Sequence, residues 1–538
     1  MPPKPPPFEP EKRPAITIGP DDGRYPTLSR GFNQRWIAHP EYVRLVTSSD
    51  GVVTALREAV NQKPADTKRT RVTVRSGGHC YENFVCGDDV RVILDLSPMC
   101  GIAYDPRLEA WAVEAGATNW HVYSHLFPLS GRALPAGSCY SVGLGGHITG
   151  GGYGLLSRQA GLTVDYLYAV EVAVVNRDRT VDLVVATRDD PDPDVRDLWW
   201  AHTGGGGGNF GVVTRFWFRD LPTPPRKVLI TARAWPWSGF KEKKDFVPLV
   251  ANYCDYFARH QDPGTAAGRL FALLTLNHRA NGEIGLVAQV DTATDDPSDT
   301  KDAGVAAMQD FLRRVDSRAV PDSRPMWESV AEHAAIPNAW HPRMMPWLTA
   351  TQALNGSGEN RCGKYKSAYL RNPLTDDQIG TMWDYLGNTH FKDYDNKAAV
   401  IQIDSYGSAV NRPPRDTATR QRDSILKMQY QVYWNRPSDS LPDHEAEARH
   451  LKWIRETYRA TFAETGGVPE TGGRSDGCYI NYPDVDLSDG NWNKSGQPWS
   501  QLYYKDAYDR LQRIKARWDP LNVFHHGQSI EPHTRPTH

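Results

Sequence analysis

The period of apolar and polar positions changes several times along the chain. Residues 41–62, EYVRLVTSSDGVVTALREAVNQ, open on a short apolar run, meet a Ser-Ser-Asp cap, and then place Val53, Leu56 and Val60 at helical spacing. That pattern predicts a strand followed by a helix. β-Branched residues alternate in RVTVRSGGHC up to a Gly-Gly stop, and VRVILDLSPM and LEAWAVEAG repeat the strand pattern, so the region reads as α/β. DYLYAVEVAVVNRDRTVDLVVA, residues 165–186, predicts two strands joined at an Asn-Arg-Asp-Arg turn, followed by a helix carrying LWWAHTG. Five glycines at 204–208 precede another β-rich stretch, NFGVVTRFWFRDL. The Pro-rich PTPPRK at 222–227 breaks the pattern and marks the first domain boundary. From about 228 to 472, strands alternate with longer helical patterns such as DDPSDTKDAGVAAMQDFLRRV and HEAEARHLKWIRETYRATFAE, as suits a substrate-side domain. The last segment carries GCYINYPDVDL, a helix around YYKDAYDRLQRIKARWDP, and LNVFHHGQSI.

A length of 538 residues exceeds what one hydrophobic core usually serves, which predicts at least two domains. With 39% hydrophobic and 23% charged residues the composition is that of an ordinary globular protein. A formal net charge of −2 supplies no basic field for a polynucleotide, which leaves small molecules as the expected partners. No run of about eighteen apolar residues is present, so no membrane span is expected. The opening MPPKPPPFEPEKRP is a Pro-rich, charged arm without the apolar region of a signal peptide, and the expected compartment is the cytoplasm. Seven cysteines, at 80, 86, 100, 139, 254, 362 and 478, are odd in number and sparse. They do not suggest a disulfide framework, although an exported protein would leave a pair among Cys80, Cys86 and Cys100 open.

Two Gly-rich stretches carry the candidate chemistry. In RSGGHCYENF a strand ends in Arg75-Ser76-Gly77-Gly78, exposing consecutive amides that suit a pyrophosphate or a plain tight turn. The stretch matches neither GxGxxG nor GxxxxGK[ST]. His79, Cys80 and Cys86 lie close together, but their spacing is not that of a zinc site and no CxxC or HExxH completes it, so no metal is expected. In PAGSCYSVGLGGHITGGGYG eight glycines surround Cys139, His147 and Tyr153. So few apolar side chains flank Cys139 that a reactive or bonded thiol is favoured over a core position. A cysteine-hydrolase arrangement would need His147 to face the sulfur, which the sequence leaves open.

RSGGHCYENF, PAGSCYSVGLGGHITGGGYGLLSRQAGLTVDYL, LWWAHTGGGGGNFGVVTRFWF, CYINYPD and WDPLNVFHHGQSI, in that order, resemble the berberine-bridge-enzyme-like flavoprotein oxidases of the vanillyl-alcohol-oxidase superfamily. Within the family the resemblance is closest to the hexose oxidases of glycopeptide-antibiotic assembly. It implies an α+β fold: a PCMH-type FAD-binding domain of two α/β subdomains (1–227), a substrate domain with an antiparallel sheet backed by helices (228–472), and a C-terminal segment returning to the FAD domain (473–538).

By the same resemblance, FAD would be attached twice, through His79 to the flavin 8α-methyl and through Cys139 to C6. Arg75, Ser76, Gly77, Gly78, Gly145, Gly146, His147, Gly150, Gly151, Gly152, Val212, Val213 and Asn522 would make further cofactor contacts. Tyr482 is the implied base for a substrate hydroxyl, with Tyr479 beside it, Tyr153 over the flavin and Asp404 tuning the base. In an extended strand Tyr479 and Tyr482 would face opposite ways, so both reach one site only if the Ile-Asn link bends. The implied reaction oxidises an alcohol of a sugar or glycosylated metabolite, with dioxygen giving hydrogen peroxide. The alternative is a family member that uses FAD for lactone formation, cyclisation or a non-redox step.

Overall fold

The computed structural model describes residues 14–329, 333–436 and 443–533, so the Pro-rich arm lies, up to residue 13, outside the described residues. Three sheets organise the chain. The first contains β1 (Ile16–Ile18), β2 (Tyr42–Leu45), β3 (Arg71–Arg75) and β4 (Val90–Asp95) in the order β1-β2-β4-β3. β4 runs parallel to both β2 and β3. The crossover is the helix Ser49–Asn61, where Ser48 accepts the Gly51 amide as N-cap and Val52, Ala55, Leu56 and Ala59 are buried. Every residue of β4 is buried, which is why VRVILD reads as a nearly continuous apolar run.

The second sheet is antiparallel, with β5 (Ile102–Asp105), β6 (Ala110–Glu114), β7 (Leu167–Val175), β8 (Val181–Thr187) and β9 (Val212–Phe218) in the order β5-β6-β9-β7-β8. Between β6 and β7 the chain leaves the sheet and makes the Gly-rich loop and the short helix Leu144–Thr149. A second glycine run separates the helix Pro193–Ala201 from β9.

The third sheet has eight strands: β10 (Lys227–Pro236), β11 (Phe271–Asn277), β12 (Glu283–Asp291), β13 (Arg324–Pro325), β14 (Arg343–Pro346), β15 (Cys362–Leu370), β16 (Ala399–Ser405) and β17 (Leu426–Trp434). Its order is β13-β10-β12-β11-β16-β17-β15, with β14 also on β10, and every pairing is antiparallel. The helix Ala303–Val315 packs on β12 and the helix His444–Thr461 on β17, joined by Lys243–Arg259 and Asp376–Leu386 in one helical layer. The fold is thus the mixed helix-and-sheet architecture expected. CYINYPD is not a strand: the Tyr482 amide donates to the Tyr479 carbonyl at 2.9 Å, and this turn supplies the bend that lets both phenols share a site.

Candidate active site

A cleft of about 320 Å³ runs between the Gly-rich loops and the third sheet. Gly77, Gly78, His79, Cys139, Gly145, Gly146 and His147 line one side, and Gln402, Asp404, Lys427, Gln429, Gln431, Tyr479 and Tyr482 another. The two glycine loops meet because they are bare. A Cβ on Gly77 would enter the Gly143 backbone, and one on Gly143 would strike the Gly77 backbone and Ser76 Oγ. That approach brings His79 Nε2 to 2.8 Å from Ser141 Oγ, two residues beyond Cys139. The His79 ring stacks on Phe32, and burial lowers its pKa to about 4, so the imidazole is neutral near pH 7. Cys139 Sγ donates to the Gly356 carbonyl at 3.2 Å.

The chemistry of this side fits FAD. Gly78 has φ +74°, and the amides of Gly77, Gly78 and His79 have no protein acceptor among the described residues, which makes a concave set of donors for a pyrophosphate. The lining also includes His526, stacked on Phe84 at 4.1 Å, and Gly207, Gly208, Asn209 and Val213. Burial lowers the His526 pKa to about 3, so it too offers an uncharged aromatic face.

Alternating positions of adjacent strands build the opposite wall. Asp404 lies directly across from Lys427 and Gln402 across from Gln429 in the β16–β17 register. Lys427, with a side chain 2% exposed, bonds Asp404 Oδ2 at 3.1 Å and donates to the Tyr482 hydroxyl at 3.2 Å. Its Nζ also sits 4.1 Å from the ring centre of Tyr153, 4.8 Å from that of Tyr482 and 5.1 Å from that of Tyr479. Burial lowers the Lys427 pKa, and Asp404 opposes the shift. Tyr479 meets Tyr482 edge-on at 4.9 Å; burial raises its own pKa to about 12, although hydrogen bonds from the Asn481 amide and the Gly152 backbone oppose the shift. The Tyr153 hydroxyl donates to the Ser405 carbonyl.

Arg75 lines the cleft, with its guanidinium held by Asp95 and by the Leu28 and Arg30 carbonyls. Several other expected cofactor contacts lie elsewhere. Gly150, Gly151 and Gly152 pack behind the cleft lining: side chains there would run into Asn481, Thr419 and Thr163. Val212 is fully buried in β9, and its neighbours Gly211 and Val213 reach the cleft. Asn522 is an exposed turn residue with φ +50°, and Phe524, His525 and His526 line the cleft in its place. All seven cysteines are free thiols, so Cys80, Cys86 and Cys100 form no disulfide. Sequence reasoning missed Lys427, the three glutamines, Tyr81 and His333. A signal for half of them was present in LKMQYQVYW, where Lys427, Gln429 and Gln431 repeat at period two inside a strand otherwise apolar or aromatic.

The family described as berberine and berberine-like matches residues 478–531, and an FAD-binding-domain family matches residues 40–181. The chain is 41% identical over 527 residues to the aclacinomycin-N/aclacinomycin-A oxidase of Streptomyces galilaeus, covering 95% of this chain and 89% of that protein. It is 36% identical to the hexose oxidase of Chondrus crispus, covering 95% and 93%. Among solved structures, a glycopeptide hexose oxidase complexed with teicoplanin superposes with a TM-score of 0.84 at 39% identity, covering 98% of this chain and all of that one. Fold and cleft therefore define an FAD-linked oxidoreductase with a PCMH-type architecture. The chain belongs to the berberine-bridge-enzyme-like family of the vanillyl-alcohol-oxidase superfamily. Among the described residues no helix is long and apolar enough to cross a membrane.

Proposed function

We propose that the protein oxidises an alcohol of a sugar or a glycosylated secondary metabolite, with Tyr482 as the base and FAD tethered through His79 and Cys139. The observation that carries this reading is the Lys427 ammonium 3.2 Å from the Tyr482 hydroxyl. A cation at that distance, held in place by Asp404, favours the phenolate over the phenol, which is what a base for an alcohol proton requires. Tyr479 is less suited, since burial raises its pKa to about 12 and keeps it neutral near pH 7. Tyr153 is buried with its hydroxyl committed to the Ser405 carbonyl, and serves better as a wall that orients the substrate. Gln402, Gln429 and Gln431 offer neutral donors and acceptors to ring hydroxyls. The sugar and glycoside oxidases named above favour the same substrate class.

Held by the Gly77–Gly78 cradle, His79 and Cys139, FAD would supply the hydride acceptor for an oxidase reaction that yields hydrogen peroxide. The residues supply the rest: Lys427 holds Tyr482 as its anion before the transfer, Tyr482 removes the hydroxyl proton, and the sheet face orients the carbinol. The test is peroxide release over a panel of free sugars, aminosugars and glycosides bearing an aromatic aglycone. Equimolar peroxide and oxidised sugar supports the reading. Product formation without oxygen uptake overturns it in favour of a cyclisation or dehydration.

A further inference from the structure

Behind the cleft wall, six charged side chains meet, all but Arg455 almost out of water. Lys364 and Lys366 alternate along β15 on the face opposite Tyr365, Ser367 and Tyr369. Lys364 Nζ lies 2.5 Å from Glu82 and 2.7 Å from Asp484, and Lys366 Nζ lies 2.7 Å from Asp484 and 2.8 Å from Asp486. Arg455 closes the set on Asp486 at 2.7 Å. Three cations thus face three carboxylates, and the side chains of the two lysines, Glu82 and Asp484 are each 2% exposed. Ions so buried are stable only when paired and hydrogen-bonded, so the geometry of one member fixes the others.

The segments joined are those that carry the chemistry. Glu82 follows His79 by three residues, and Asp484 follows Tyr482 by two. Each segment also grips the cleft face of β15: Tyr81 stacks on Tyr365 with ring centres 3.5 Å apart, and the Tyr479 amide donates to Ser367 Oγ at 2.9 Å. Both loops therefore straddle one edge strand, held by rings and hydroxyls in front and by ion pairs behind.

We infer that this buried network is a positioning device for the oxidation: it uses β15 as a common rule that fixes the Tyr482 phenol relative to the His79 anchor of the cofactor. The inference rests on the proposed roles of His79 and Tyr482. Lys364 is its central positioning residue because its ammonium pairs with a carboxylate of each loop, beside the weaker Val485 amide bond to Glu82 Oε1 at 3.4 Å.

Lys364→Met leaves Glu82 without its cation and Asp484 with Lys366 alone, and lowers both stability and rate. Glu82→Gln combined with Lys364→Met removes one charge of each sign and separates the two effects. In that double variant the melting temperature returns toward wild type, while flavin reduction at saturating substrate stays at least tenfold slow, KM changes less than threefold, and the visible circular dichroism of the bound flavin is altered. A double variant that reduces its flavin at the wild-type rate with an unchanged dichroism spectrum overturns the proposal. Tyr482→Phe is measured alongside. A wild-type rate in that variant overturns the base assignment and this proposal with it, whereas a slow Tyr482→Phe beside a fast double variant overturns the proposal alone. If the double variant does not accumulate, Lys364→Arg, which keeps the charge and displaces the carboxylates, reads the same rate and spectrum.

Discussion

Lys427 stands across the β16–β17 ladder from Asp404 and bonds both that carboxylate and the Tyr482 hydroxyl, so a carboxylate, an ammonium and a phenol are linked in sequence at the cleft. Under the proposed mechanism Asp404 acts on the phenol through the lysine. Replacing Tyr482 with Phe removes the proposed base and should slow anaerobic flavin reduction by about 10²- to 10⁴-fold with the flavin still attached. Replacing Lys427 with Met keeps the phenol but removes the cation that favours its anion. The rise of rate with pH then moves toward the ordinary phenol range near about 10. Stopped-flow reduction between pH 6 and 10 checks both, and an unchanged pH profile in Lys427→Met speaks against a phenolate held by this lysine.

The two proposed tethers predict a pattern that activity alone does not reveal. Protein precipitated in acid keeps its yellow colour, and peptides containing His79 and Cys139 both carry flavin mass. His79→Ala retains flavin on the Cys139 peptide only, and Cys139→Ala retains it on the His79 peptide only. Removing both leaves flavin that dissociates on denaturation. Free flavin released from the unsubstituted protein contradicts the double attachment.

How much of this was legible in the sequence depends on the range of the interaction. Ser48 as helix cap, the alternation in β3 and the apolar run of β7 are local, and they gave their elements correctly. The Gly77–Gly143 approach is visible as composition but not as a contact, because nothing local says which two bare backbones meet. Gly150, Gly151 and Gly152 look identical to Gly145 and Gly146 in the sequence, yet they serve packing against Asn481, Thr419 and Thr163. Lys427 became a site residue only through its register opposite Asp404, and Lys364 only through carboxylates 282 and 118–122 positions away from the lysine pair in Glu82, Asp484 and Asp486. Register and tertiary pairing decide such roles, and neither follows from a strand's own pattern.

Buried histidines predict the response to acid. Burial lowers the pKa of His147, His202, His278 and His450 to about 4 and of His526 to about 3. In the unfolded chain these imidazoles take up protons from about pH 6.5 downward, whereas in the fold they remain neutral until about 4 or below. The unfolded state therefore binds more protons throughout that window, and stability falls as pH falls through it. Thermal melts at fixed ionic strength should show the melting temperature decreasing steadily from pH 7 to 4.5. A level or rising trend contradicts the neutral burial of these side chains.

The glycine pair offers the sharpest structural test of how the two tether loops are brought together. Gly143→Ala places a methyl against the Gly77 backbone and Ser76 Oγ, and neither backbone has a flexible end that can swing aside. Overpacking of this kind costs about 1–3 kcal/mol or more, here because the loops must separate. Separation also withdraws Ser141 from His79 Nε2, so flavin attachment at the His79 peptide falls further than attachment at Cys139. Gly146→Ala is the control, since a Cβ there meets nothing within 4 Å inside the protein. Its melting temperature without cofactor stays at the wild-type value while that of Gly143→Ala drops by several degrees, and equal losses in the two variants contradict the close approach.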